Sequence, residues 1–213
     1  MQIISSLEDI SFAMAELRGL DPKLRPVMES AGNIPLRRRP PDFAGLAQIV
    51  TGQLVSVAAA AAIFQRLEAA VSPLTAKEID NTPDEVLKSA GLSMPKIRTL
   101  RAITEECRRG LDLAALAAAP AEDAHKRLCA IKGIGRWTAD IFLLFCAGHP
   151  DIFPGGDLAL QTAARDAFGL PDRPGVKEMD ALASQWAPWR SVAARVLWAW
   201  YKTQKNGKAT MPL

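Results

Sequence analysis

In segment after segment of this 213-residue chain, apolar residues recur three and four positions apart, and no run of four or more alternates apolar with polar residues between turn signals. A half-buried strand needs that alternation, whereas a helix packed on one face needs the wider spacing. The pattern predicts an all-α fold with helices over 7–18, 22–31, 42–52, 55–71, 82–89, 94–109, 121–130, 136–147, 157–168, 176–186 and 188–204. Between them fall Pro40, Pro41, Gly91, Gly133, Gly135, the Pro154, Gly155, Gly156 cluster and the stretch 171–175, all of which start or stop helices. Hydrophobic residues make up 49% of the chain and charged residues 23%, a balance that suits a packed domain and excludes disorder. The whole chain, 1–213, reads as a single domain, with a patternless tail over 205–213 expected to be disordered.

The longest apolar runs, 54–64 and 141–148, are far shorter than the roughly 18 residues of a membrane span. The N-terminus lacks a basic region followed by an unbroken apolar core, so no signal peptide and a cytoplasmic protein are expected. Cys107, Cys129 and Cys146 form no CxxC pair, and the two histidines, His125 and His149, complete no ligand spacing. Neither zinc nor an iron-sulfur cluster is expected. The cysteines read as reduced, packed thiols. A net charge of +3 and a pI of 8.9 are compatible with a nucleic-acid partner.

Four places can carry chemistry. The loop IKGIGRW (131–137) joins two apolar helices through Gly133 and Gly135, the second helix opening at Arg136. Such a turn presents backbone N–H groups at a helix start, where a phosphate oxygen is favoured, beside the charges of Lys132 and Arg136; it reads equally as a plain interhelical turn. In FPGGDLAL (153–160), Asp157 stands at a helix N-cap, a role that needs no catalysis. On helix 188–204, at about 100° per residue, Trp189, Val192, Val196 and Trp200 share one face. Trp198 points the opposite way, with Ser191, Arg195 and Lys202, and should pack on another element or line a cleft. Gln53 falls inside the apolar arc of helix 42–57 and needs a partner, either within the chain or outside it. Trp137 reads as core at the mouth of its helix or as part of a site.

Taken together, IKGIGRWTADIF, FPGGD, WAPWRS with the helical tryptophan after it, and GQLVSVA (52–58) closely resemble bacterial 3-methyladenine DNA glycosylase II. This family belongs to the helix-hairpin-helix superfamily of base-excision glycosylases. The resemblance spans roughly 20–204 in the same motif order, in a compact form without the N-terminal β-rich domain of the prototype. It implies two helical subdomains flanking an active-site cleft, with the hairpin over about 121–147. It further implies that Asp157 is the essential carboxylate and that Lys132, Gly133, Ile134, Gly135, Arg136 and Thr138 hold DNA phosphates. Trp198 would be the aromatic wall of a base pocket shared with Trp137, Ile141 and Leu158, while Gln53 and Leu54 would enter the gap left in the duplex. Trp137 stands where bifunctional relatives place a Schiff-base lysine, which implies hydrolysis without strand cleavage. Backbone carbonyls of Cys129, Ile131 and Ile134 correspond to those that hold a monovalent cation, Na+ or K+, in the family; no other cofactor is implied. The partner implied is damaged double-stranded DNA, and the protein is expected to act as a monomer at the bacterial nucleoid.

Ile141 and Leu158 replace tyrosines of the prototype, so the pocket is expected to be less aromatic. A glycosylase of the same fold for deaminated or oxidised purines, and a non-catalytic DNA-binding module, stand beside the alkylated-base reading. Arg37, Arg38, Arg39, Lys96, Arg98, Arg101, Arg108 and Arg109 read either as distant phosphate contacts or as solvated helix residues.

Overall fold

The computed structural model describes residues 3–205, 207, 211 and 212, among which every regular element is a helix and no strand occurs. The chain divides into two compact units. A terminal unit holds the residues up to Arg38 together with Gly148–Met211, and a central unit holds Arg39–Ala147.

The terminal unit opens with α1 (Leu7–Leu20), where Ser6 and Asp9 form a reciprocal capping box, followed by a 3-10 turn (Pro22–Leu24) and α2 (Arg25–Ser30). In the central unit, α3 (Phe43–Gly52) starts at Asp42, whose side chain accepts from the Gly45 N–H at 2.8 Å. A side chain at Gly45 would collide with the Pro40 carbonyl, which is why a glycine stands there. There follow α4 (Val57–Ala70), α5 (Ala76–Asn81), α6 (Asp84–Ser89), α7 (Met94–Arg108), α8 (Leu113–Ala118), α9 (Ala121–Cys129) and α10 (Arg136–Ile141). The last runs on as a π-helical stretch, Phe142–Ala147. Residues Thr138–Ala147 are all buried, making this helix the core of the unit, packed against α3, α8 and α9.

The chain returns to the terminal unit for α11 (Leu158–Phe168), α12 (Val176–Ser184) and α13 (Arg190–Gln204). Helix α13 is buried at every position from Ser191 to Ala199 and packs on α1, α2, α11 and α12. Trp186 donates its indole N–H to Asp21 at 2.8 Å, and Arg190 grips Asp151 with two bonds of 2.6 and 2.9 Å.

Two helices were not foreseen from the pattern. Both α5 and α8 have only six residues, too few for a periodicity to register; they are set by their caps, Thr75 on the Glu78 N–H and Asp112 on Ala114 and Ala115. The tail also differs from expectation at Met211, which is buried and whose carbonyl accepts from Arg37 at 2.9 Å. Residues 206, 208–210 and 213 of that expected disordered tail lie outside the described residues. Cys107, Cys129 and Cys146 are free thiols, half-buried or buried, as expected of packed cysteines. No described helix is long and apolar enough to cross a membrane.

Candidate functional site

Asp157 is placed by a short loop whose geometry is set before the side chain is reached. The Asp157 N–H bonds to the Pro154 carbonyl at 2.9 Å, and the buried Gln161 amide donates to the Gly155 carbonyl at 2.9 Å. A Cβ on Gly155 would lie 2.8 Å from the Asp180 carboxylate and 3.3 Å from the Met179 Cβ, so the loop packs tightly on α12. The Asp157 side chain is 8% exposed. Its Oδ1 accepts from the Leu160 N–H at 3.0 Å and from the Trp198 indole N–H at 3.1 Å. The capping bond and the indole bond therefore meet on the same oxygen, Oδ1. Leu158, the next residue, is 59% exposed.

Of the two alternatives expected for it, Trp198 takes the packed one. Its exposure is 0%, and Trp200, assigned above to the core face, is only half-buried. The helical arithmetic assumed that polar residues mark an outer face, but Ser191 and Arg195 are themselves internal. The Ser191 hydroxyl accepts the Ile152 N–H at 3.0 Å and lies 2.6 Å from the His149 carbonyl. Arg195 donates to the carbonyls of Leu36 and Ser191, and burial, with Arg38 nearby, pushes its guanidinium down to about 9. What Trp198 presents is an N–H to the carboxylate, not an open ring face.

The remaining predicted residues lie in the central unit. At the hairpin, Ile131 and Ile134 are buried anchors, joined by the Ile134 N–H to the Ile131 carbonyl at 3.0 Å, while Lys132, Gly133, Gly135 and Arg136 are exposed. Gly133 has φ 91, and any side chain there would collide with Thr99; both facts require glycine. Gly135 is the N-cap of α10 and makes no side-chain cap bond, so the first N–H groups of the helix face a residue with no side chain. Arg136 pairs with Asp140 at 3.5 Å, and Asp140 also meets His125 at 3.2 Å. That hydrogen bond holds the His125 pKa above its usual value. Trp137 is half-buried, and Ile141 is fully buried, so it offers no open pocket surface of the kind expected. The base-pocket residues are thus divided: Trp137 and Ile141 belong to the central unit, Trp198 and Leu158 to the terminal one.

Gln53 finds its partner inside the chain. Its amide donates to the Thr138 hydroxyl at 2.9 Å and to the Gly133 carbonyl at 3.3 Å, which ties the end of α3 to the hairpin and is the internal one of the two partner alternatives. The Thr138 side chain, in turn, is buried beneath that bond. Leu54 projects instead: it is 102% exposed and holds φ 57, a left-handed conformation rare for a leucine.

Most of the other basic residues are committed within the chain. Arg101 binds the Ile79 and Thr82 carbonyls and Asp84; Arg108 pairs with Asp80 and Glu105; Arg109 pairs with Glu105 and Glu106. Lys96 is buried on the Thr51 carbonyl, whereas Arg98 is exposed. Neither the buried lysine nor the bond between Trp198 and Asp157 was signalled by the sequence, since each joins residues distant in the chain.

The profile of the HhH-GPD superfamily, described as base excision DNA repair proteins, matches residues 47–188. DNA-3-methyladenine glycosylase 1 of Schizosaccharomyces pombe is 30% identical over 220 residues, covering 100% of this chain and 94% of that protein. The 3-methyladenine DNA glycosylase of the same yeast, solved in complex with abasic DNA, superposes with a TM-score of 0.78 at 29% identity, over 93% of this chain and 99% of the other. The crystal structure of a DNA-3-methyladenine glycosidase from Bacillus halodurans gives 0.77 at 31% identity, over 94% of each chain.

Proposed function

The chain belongs to the HhH-GPD superfamily of base excision DNA repair proteins, and from that premise we propose that it is a monofunctional DNA glycosylase of the 3-methyladenine type II kind. It removes alkylated bases from duplex DNA. The observation that carries the reading is Asp157, a carboxylate fixed by an indole and a backbone N–H in a glycine-bounded loop.

Breaking an N-glycosidic bond gives the deoxyribose oxocarbenium character, and a positioned carboxylate stabilises that charge and orients the attacking water. Asp157 does this. A purine alkylated at N3 or N7 is already cationic and a good leaving group, so no strong general acid is needed. His149 is accordingly used elsewhere, its Nδ1 accepting the Asp151 N–H at 3.0 Å. The target nucleotide must first leave the stack, at a cost of a few kcal/mol. Leu54 fills the gap, and the hairpin around Gly133 and Gly135, with Lys132 and Arg136, holds phosphates through N–H groups and charge. Trp137 in place of a lysine supports hydrolysis without a Schiff base. Trp198 steadies Asp157 from within, and Leu158, exposed beside it, is the more accessible candidate for base contact in the terminal unit.

The carbonyls of Cys129, Ile131 and Ile134 are the donor type that an alkali cation takes. Na+ or K+ held by them would stiffen the hairpin beside the phosphates. The same reading makes damaged double-stranded DNA the partner, a monomer the acting form, and the nucleoid in the cytoplasm its place.

The test is incubation with methylated duplex DNA, with released bases identified by mass. Release of 3-methyladenine or 7-methylguanine, an uncut abasic strand and no borohydride-trapped adduct are expected. Release of only deaminated or oxidised purines, or a trapped adduct, overturns the corresponding part.

A further inference from the structure

Lys96 is the buried charge that the function above leaves unused. It is 8% exposed, burial pushes its ammonium below the ordinary lysine value, and its Nζ donates to the Thr51 carbonyl at 2.8 Å. A side chain needed only to fill space would not bring a charge out of water. Thr51 lies in the last turn of α3, where carbonyls lack helical partners and the dipole is negative, so a cation there is favoured. Three residues later stands Leu54, fully exposed and left-handed. Gln53 ties the same turn to the hairpin. Helix α7, which carries Lys96, also sets Thr99 against Gly133 too closely for any other residue. One helix thus braces both the turn that bears Leu54 and the turn that meets phosphate.

We propose that Lys96 is a positioning residue for entry into the duplex: its ammonium fixes the end of α3, so that Leu54 is presented at a constant distance from the hairpin. Gln53 adds a second tie, between that turn and the hairpin. The inference rests on the reading of Leu54 as the residue that enters the gap, and the experiment separates the two.

The probe is a duplex carrying a stable tetrahydrofuran abasic analogue opposite 2-aminopurine, whose emission rises when an inserted side chain breaks its stack. The full-length wild type should produce that rise and Leu54→Ala should abolish it. Lys96→Met should lose most of it while the slope of log Kd against log salt stays at the wild-type value, because the hairpin's phosphate contacts are intact. Its kcat/KM on duplex should fall about tenfold, the factor equivalent to one hydrogen bond to a charged group. If Lys96→Met does not fold, Lys96→Gln, with a neutral donor, is measured in the same way. A full rise with the Lys96 variant, or a loss that tracks melting temperature and salt slope together, overturns the inference. A full rise with Leu54→Ala overturns the reading of Leu54 itself, and this inference with it.

Discussion

The two units treat their functional groups in opposite ways. In the terminal unit the carboxylate proposed to act on the sugar is almost closed off, with Oδ1 of Asp157 engaged by Leu160 and Trp198 and the indole itself fully buried. In the central unit the key features are bare: exposed glycines at a helix start, and a leucine with its whole side chain in solvent on a disfavoured backbone. Chemistry needs a group whose position is over-determined, because misplacement by about 1 Å can cost a hundredfold in rate. Gripping DNA needs surfaces left unsatisfied until the ligand arrives. The contrast predicts that substitutions in the first region change the rate or the fold, and that those in the second change recognition with little harm to folding.

The sharpest break would come at Asp157. Asp157→Asn should lower base release about a hundredfold or more, the range of a positioned acid or base, while duplex binding persists; near-wild-type release of 7-methylguanine would refute the contrast at its strongest point. Next comes Trp198→Ala, which should cost about 3–5 kcal/mol of stability as a cavity opens in a fully packed helix. Trp200→Ala, at a half-buried position, should shift the melting temperature less. Equal shifts would show that α13 does have an open face at Trp198. For Leu54→Gly the expected signs are opposed. Relief of the left-handed leucine should stabilise the fold by about 1 kcal/mol, while duplex excision declines. A fall in both would place Leu54 among the packing residues.

The smallest effect concerns pH. The His125 pKa is raised in the folded state by Asp140, so the stability this pair adds is fully present below the unfolded value of 6.5 and disappears as pH rises through the folded value. The stability difference between wild type and His125→Asn, followed by denaturant titration, should be greatest in mild acid and shrink above neutrality. A pH-independent difference would assign His125 to packing.

How far these features could be read beforehand follows from how local they are. The hairpin glycines, the Asp157 cap and most helix limits are set by neighbours within a few positions, and the sequence displays them. The environment of Trp198 depends on a residue 41 positions away, and that of Gln53 on one 85 positions away. Helical geometry says which way a side chain leaves its axis. It does not say whether a second layer covers that direction, and on α13 the face of Ser191, Arg195 and Trp198 is buried as fully as that of Val192 and Val196. Similarly, Lys96 and Arg101 look like solvated charges until the carbonyls that receive them are placed in space.

Because Asp157 caps α11 through the oxygen that an asparagine would also possess, the change expected to silence the chemistry leaves the helix start intact, asparagine being as good an N-cap as aspartate. The silenced protein is therefore a different object in the cell from a missing one. A folded, binding-competent copy would sit on lesions without clearing them and hide them from other repair enzymes. Cells producing Asp157→Asn should accordingly survive a methylating agent less well than cells without the gene, whereas an unfolded Trp198→Ala protein should merely match the deletion.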